Sequence, residues 1–148
     1  MKGKTFEHEV SASLKEIRNG ESYFFYRRLL DSHSLGSRVP ADFLAVHAGQ
    51  PYFFECKSCK GTSFPIRNVK ETQIKDMLEA EMAGIKCYVL IKHSCRNPEV
   101  FAVRLKEWVT LAGASKRKSI TWDMLAKKGQ CLLKTDWNNW SMWGLFRR

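Results

Sequence analysis

Two strand-length runs, Asp42 to His47 and Tyr52 to Lys57, separated by Ala48, Gly49, Gln50 and Pro51, constrain this chain more than any other feature. Gly and Pro are turn residues, so an antiparallel hairpin is the simplest reading. Residues two apart on a strand share a face, which sets Glu55 and Lys57 together and sends Phe54 and Cys56 to the other side. A turn centred between Gly49 and Gln50 puts Asp42 opposite Lys57 and Leu44 opposite Glu55. With an even number of loop residues, Asp42, Glu55 and Lys57 then gather into one cluster.

The flanking sequence supplies the rest of an α/β domain. Phe6, Val10, Leu14 and Ile17 recur at helical spacing between Lys4 and Asn19, and Asn19-Gly20 stops that helix. Ser22 to Tyr26 is aromatic-rich and reads as a strand, and Arg27 to Arg38 reads as a basic loop. Asn68 and Glu71 suit an N-cap and capping box for a second helix, with Ile74, Met77, Leu78 and Met82 as its apolar stripe and Gly84 as its end. Lys86 to Lys92 and Glu99 to Leu105 are further strands around a loop from His93 to Pro98. Lys106 to Ala114 and Thr121 to Lys128 read as short helices, the second capped by Thr121 and stopped by Gly129. This order predicts one mixed sheet flanked by helices, without the regular βαβ alternation of a doubly wound fold. A length of 148 residues fits a single domain over 1–148. The tryptophan-rich stretch from Thr135 to Arg148 is assigned to no element.

Twenty-five Lys and Arg against 15 Asp and Glu leave a formal charge of +10, which points to a polyanionic partner. Nucleic acid comes first and an anionic membrane surface second. No apolar run approaches the length of a spanning helix, and the chain opens on polar residues rather than an apolar signal region. Five cysteines at irregular spacing read as reduced thiols in a cytoplasmic protein. Cys56 and Cys59 have the spacing of half a zinc site, but no second such pair answers them.

Two carboxylates converging from neighbouring strands suit a hard cation such as Mg²⁺, which keeps several waters and accepts phosphate oxygens as remaining ligands. Such an ion lowers the pKa of water and offsets charge on a scissile phosphate. An ammonium on the same face, Lys57, orients the attacking water and neutralises the phosphate. The spacing alone is equally met by a surface ion pair worth about 0–1 kcal/mol.

Asp42, Glu55 and Lys57 match the motif of the PD-(D/E)xK nuclease superfamily, and the sequence after them resembles the RecU-like Holliday junction resolvases more narrowly. The segment from Lys57 through Thr62, Ser63, Phe64 and Pro65 to Asn68, then Gln73-Ile74, carries that resemblance, and Gly3 to Glu7 is similar to the Gly and Glu of the family's first helix. The similarity runs to about Leu105. It implies a restriction-endonuclease-like fold, Mg²⁺ with Mn²⁺ able to substitute, no small-molecule cofactor, and a homodimer cutting opposed strands of a four-way DNA junction. It further implies that Glu7 completes a metal site with Asp42 and Glu55, with Glu9 the competing candidate, and that Gln73 supports the site or contacts phosphate. Rival readings are a restriction-like or repair endonuclease acting on duplex or flap, and a catalytically silent DNA-binding module.

Positions 70 and 72 hold Lys70 and Thr72 where relatives often carry His, and only Arg27 to Val39 stands where cellular relatives insert a long stalk. A compact, phage-type variant is inferred from that brevity, placed at the nucleoid or in a host cytoplasm. Lys4, Arg38, Lys60, Thr62, Ser63, Arg67 and Lys70 are the candidate DNA contacts. Lys116 to Lys118, Lys127-Lys128 and Arg147-Arg148 track the DNA backbone or simply form solvated faces. Trp137, Trp140 and Trp143 are assigned to packing, with stacking on unpaired bases as the alternative.

Overall fold

A computed structural model describes residues 5–30, 39–135 and 139–147. Helix α1 spans Phe6–Gly20, with the Thr5 hydroxyl accepting from the His8 N–H at 3.3 Å as its N-cap. Six strands form one sheet: β1 (Phe24–Arg28), β2 (Phe43–His47), β3 (Gln50–Cys59), β5 (Lys86–His93), β6 (Glu99–Arg104) and β8 (Gln130–Leu132). They lie in the order β1-β2-β3-β5-β6-β8, and only β3 and β5 run parallel. The parallel step needs a crossover, supplied by β4 (Ser63–Pro65), a 3₁₀ turn (Ile66–Asn68) and α2 (Glu71–Met82). Helix α3 (Leu105–Ala114), strand β7 (Ser119–Thr121) and α4 (Trp122–Lys128) follow β6, and β7 pairs with β4 in a second, two-stranded sheet. The mixed α/β class is as expected.

Strand alternation divides the core into two layers. Phe54, Cys56, Tyr88, Leu90, Val100 and Ala102 face α1, whose Phe6, Val10 and Leu14 are buried against them. Trp140, Met142, Leu145 and Phe146 close this layer, so the terminal stretch packs, as expected for Trp140; Trp137 lies outside the described residues. On the other face Val89, Ile91, Phe101 and Val103 meet Met77 of α2, Trp108 of α3 and Leu125 of α4. Each fully buried large apolar side chain contributes about 1.5–3 kcal/mol, which anchors the helices to both faces.

The hairpin turn is centred between Ala48 and Gly49, pairing His47 with Gln50 and Phe43 with Phe54. Both turn residues have positive φ, 48° at Ala48 and 86° at Gly49, as a two-residue type I′ turn requires. That turn matches the twist of the strands, and Pro51 is accommodated within β3. Moving the centre by one position moves the pairing by two residues, so Asp42 is not opposite Lys57 but keeps its face. Arg27 and Arg28 belong to β1 rather than to a loop. Helix α2 starts at Glu71, not at Asn68, because Asn68 is held in the 3₁₀ turn and buried Val69 returns the chain to an extended course. Of its expected stripe, Leu78 is 41% and Met82 90% exposed, since the helix leans on the sheet through Met77 and Ile74. Strands β4, β7 and β8 add to the expected elements; at three residues each they are too short to show a period in sequence.

Candidate active site

The site lies where the chain enters β2 beside the middle of β3. Asp42 sits just beyond the ladder, its N–H donating to the Phe54 carbonyl at 3.0 Å and its Oδ2 accepting from the Cys56 N–H at 2.7 Å. These two bonds straddle Glu55 and bring both carboxylates to one place. Lys57, two residues along the same face, extends its Nζ to 3.2 Å from Glu55 Oε2.

Gln73 joins them from α2. Its Nε2 donates to Glu55 Oε2 at 2.8 Å, and its Oε1 accepts from the Lys70 N–H at 3.1 Å. The amide thus satisfies an orphan N–H at the start of the helix and, by spending its oxygen there, must present its NH₂ to Glu55. The Asn68–Glu71 capping box expected from sequence is replaced by this contact.

Glu55 is 4% exposed. Burial and the nearby Asp42 push its carboxyl up from 4.5 to about 7, although Lys57 and the Gln73 hydrogen bond act in the opposite direction. One ammonium and one amide therefore do not offset the burial of this carboxylate beside Asp42. Burial, Asp42, Glu55 and Glu7 likewise hold the Cys56 thiol well above its usual range, with only Arg28 opposing them. Cys56 is inert core and no nucleophile.

The two acids of α1 part ways. Glu9 is buried: Lys92 Nζ lies 2.7 Å from its Oε2 and 3.0 Å from its Oε1, and the Trp140 indole N–H donates to Oε1 at 2.8 Å. Ser13 continues the network, accepting from the Trp140 N–H at 2.9 Å. Both Glu9 oxygens are committed to holding α1 and the terminal segment on the sheet. Glu7 is half-buried, close enough to the Asp42–Glu55 end of β3 to raise the Cys56 thiol. Among the described residues no three His, Cys, Asp or Glu side chains gather closely enough to hold a metal ion, so Glu7, Asp42 and Glu55 are not a preformed three-carboxylate cage.

Of the candidate DNA contacts, Lys60, Thr62, Arg67 and Lys70 are exposed, and Ser63 is half-buried in β4 opposite Thr121. Lys4 and Arg38 lie outside the described residues. Sequence reasoning missed Arg28, whose charge reaches the site from β1, where it pairs with Phe43 next to Asp42. Only the strand register could have found it.

The profile of the family described as RecU, recombination protein U, matches residues 27–138. This chain belongs to the recombination protein U family. The match takes in Asp42, Glu55, Lys57 and Gln73, continues through β8 well past Leu105, and begins after Glu7. A Holliday junction resolvase RecU of Oceanobacillus iheyensis is 30% identical over 96 residues, covering 62% of this chain and 48% of that protein. The chain thus spans about half the length of this curated RecU relative. A solved structure of Archaeoglobus fulgidus Hjc, a Holliday junction resolvase from an archaeal hyperthermophile, superposes with a TM-score of 0.52 at 16% identity, covering 80% of this chain and 89% of that one. That likeness is one of fold. Among the described residues no helix is long and apolar enough to cross a membrane.

Proposed function

We propose that this chain is a Holliday junction resolvase, a Mg²⁺-dependent endonuclease that hydrolyses phosphodiester bonds in opposed strands of four-way DNA junctions. The observation that carries the reading is the convergence of Asp42 and Glu55 beside Lys57, with Glu55 held by Gln73 and its carboxyl pushed up to about 7. Two carboxylates sharing one ammonium, one of them buried, fit a divalent cation and leave room for water and phosphate oxygens around Mg²⁺ or Mn²⁺. Asp42 and Glu55 would hold the ion, with Glu7 as the further acid beside them. Bound there, the ion supplies Lewis-acid chemistry, acidifying water and offsetting charge on the phosphate.

The side chains of the chain do the rest. Lys57 places an ammonium where the attacking water and a non-bridging phosphate oxygen would meet. Gln73 fixes the rotamer of Glu55, and the Cys56 N–H fixes that of Asp42, so both acids are oriented before substrate arrives. The net charge of +10 draws the polyanion in.

Cutting two opposed strands requires two sites related by a two-fold axis, and hence a homodimer. The apolar surface of α1 and Trp140 are buried within the chain, which leaves Tyr23, Phe25 and Leu30 along the β1 edge, 84%, 42% and 72% exposed, as surface for a second copy. The deciding experiment offers Mg²⁺ and matched four-way junction, flap and linear duplex to the purified protein. Paired, symmetric nicks in the junction are expected, and none with Asp42→Asn, which should still bind. Preferential cutting of flap or duplex would assign a different endonuclease, and binding without cutting a silent module.

A further inference from the structure

A groove of about 840 Å³ opens at the amino end of α2, between the 3₁₀ turn and the last turn of α3. That volume is ligand-sized rather than a packing defect. Its floor is aliphatic, with Ile66, Ile74 and Ala112, and its rim carries Arg67 and Lys70 on one side and Arg117 and Lys118 on the other. All four cations are exposed, and none has an ion-pair partner among the described residues. Glu71 is the single acid of the lining. The two walls are tied together by β4 pairing with β7 and by the Ile66 N–H donating to the Lys118 carbonyl at 2.9 Å. Lys70 and Ile74 line this groove while Gln73, between them in sequence, reaches Glu55, so the groove and the proposed site share the first turn of α2.

Resting on the resolvase reading, we infer that this groove seats the sugar–phosphate backbone of a duplex arm leading away from the scissile phosphate. A DNA strand alternates anionic phosphates with apolar sugar faces, and a cation-rimmed, aliphatic-floored channel complements both. Unpaired bases are a poorer match, because no aromatic side chain lines the groove for them to stack on. Arg117 and Lys118 therefore belong to the DNA interface, although they lie some 60 residues along the chain from Lys57.

The test compares the full-length chain with Arg117→Ala/Lys118→Ala, Ala112→Phe and, as an equal-charge control on α4, Lys127→Ala/Lys128→Ala, after checking that all melt like the parent. Binding to an uncut junction with about 20-bp arms, to linear duplex and to single strand is measured across salt in Ca²⁺. The rim variant should lose about 10-fold in affinity at low salt, with a salt slope smaller by about 2. Filling the floor with Ala112→Phe should weaken binding at unchanged slope, and the α4 control should lose less than the rim variant in both affinity and slope. An unchanged slope in the rim variant overturns the inference. So does a harmless Ala112→Phe, an equal loss in the α4 control, or a loss confined to single strand. If instead the rim and floor losses appear on linear duplex and wild type does not distinguish duplex from junction, the groove stands and the junction reading falls.

Discussion

Glu55→Gln should make the metal-free protein more stable while abolishing cleavage. The folded protein holds the Glu55 carboxyl at about 7 against 4.5 when solvated. At about 1.4 kcal/mol per pH unit, the ionised side chain costs the fold about 3 kcal/mol above pH 7. The sign follows from proton counting: between 4.5 and about 7 the folded state holds the proton and the unfolded state has lost it, so stability falls as pH rises through that window. The amide keeps an acceptor for Gln73 and Lys57 and carries no charge. The attraction of Lys57 is already contained in that figure, since it opposes the rise. A gain of about 2–3 kcal/mol is expected, or roughly 4–12 °C in Tm for a chain of this size. Thermal melts in EDTA at pH 8 and pH 5 should show this gain at pH 8 and little of it at pH 5. Adding Mg²⁺ at about ten times its Kd should raise wild-type stability by about 1.4 kcal/mol and leave the variant unmoved. Cleavage by wild type at limiting Mg²⁺ should rise with pH through about 7. If Glu55→Gln melts at or below wild type at pH 8 without metal, the carboxylate pair is not strained and the electrostatic argument for a cation fails.

The acids of α1 should separate into two phenotypes: Glu7→Gln should lower cleavage without moving urea denaturation, whereas Glu9→Gln, by stranding Lys92, should destabilise by about 3 kcal/mol. The reverse pattern would exchange their roles. Gln73→Ala, which frees the Glu55 carboxylate, should reduce the single-turnover rate by about 10–100-fold with far-UV circular dichroism unchanged; a wild-type rate would return Gln73 to a capping role alone. Gly129→Ala should destabilise by about 1–3 kcal/mol in a denaturant titration, because its Cβ would lie 2.9 Å from Val103 Cγ2 and 3.0 Å from the Ala102 and Leu125 carbonyls. Unchanged stability there would mean that the connection from α4 to β8 can move away from β6 at no cost.

Local pattern was enough to place Asp42, Glu55 and Lys57 on one face of a hairpin, because side-chain direction alternates with a period of two whatever the turn. It was enough for α1, through its apolar spacing and its Asn19-Gly20 stop, and for α4, through its Thr121 cap, because these signals act within a few residues. Which Asp42 contacts form depended on a one-position shift of the turn centre, decided by whether Ala48 takes a positive φ, and the twist of the paired strands decides that. The division of labour between Glu7 and Glu9 was invisible along the chain, since Lys92 and Trp140 reach Glu9 from 83 and 131 residues away. Gln73 could be suspected from resemblance, but its orientation is set by the Lys70 N–H on one side and Glu55 on the other. The +10 charge announced a polyanion. Only the folded chain brings Arg67 and Lys70 to face Arg117 and Lys118, because charge written in sequence has no direction until packing assigns it one.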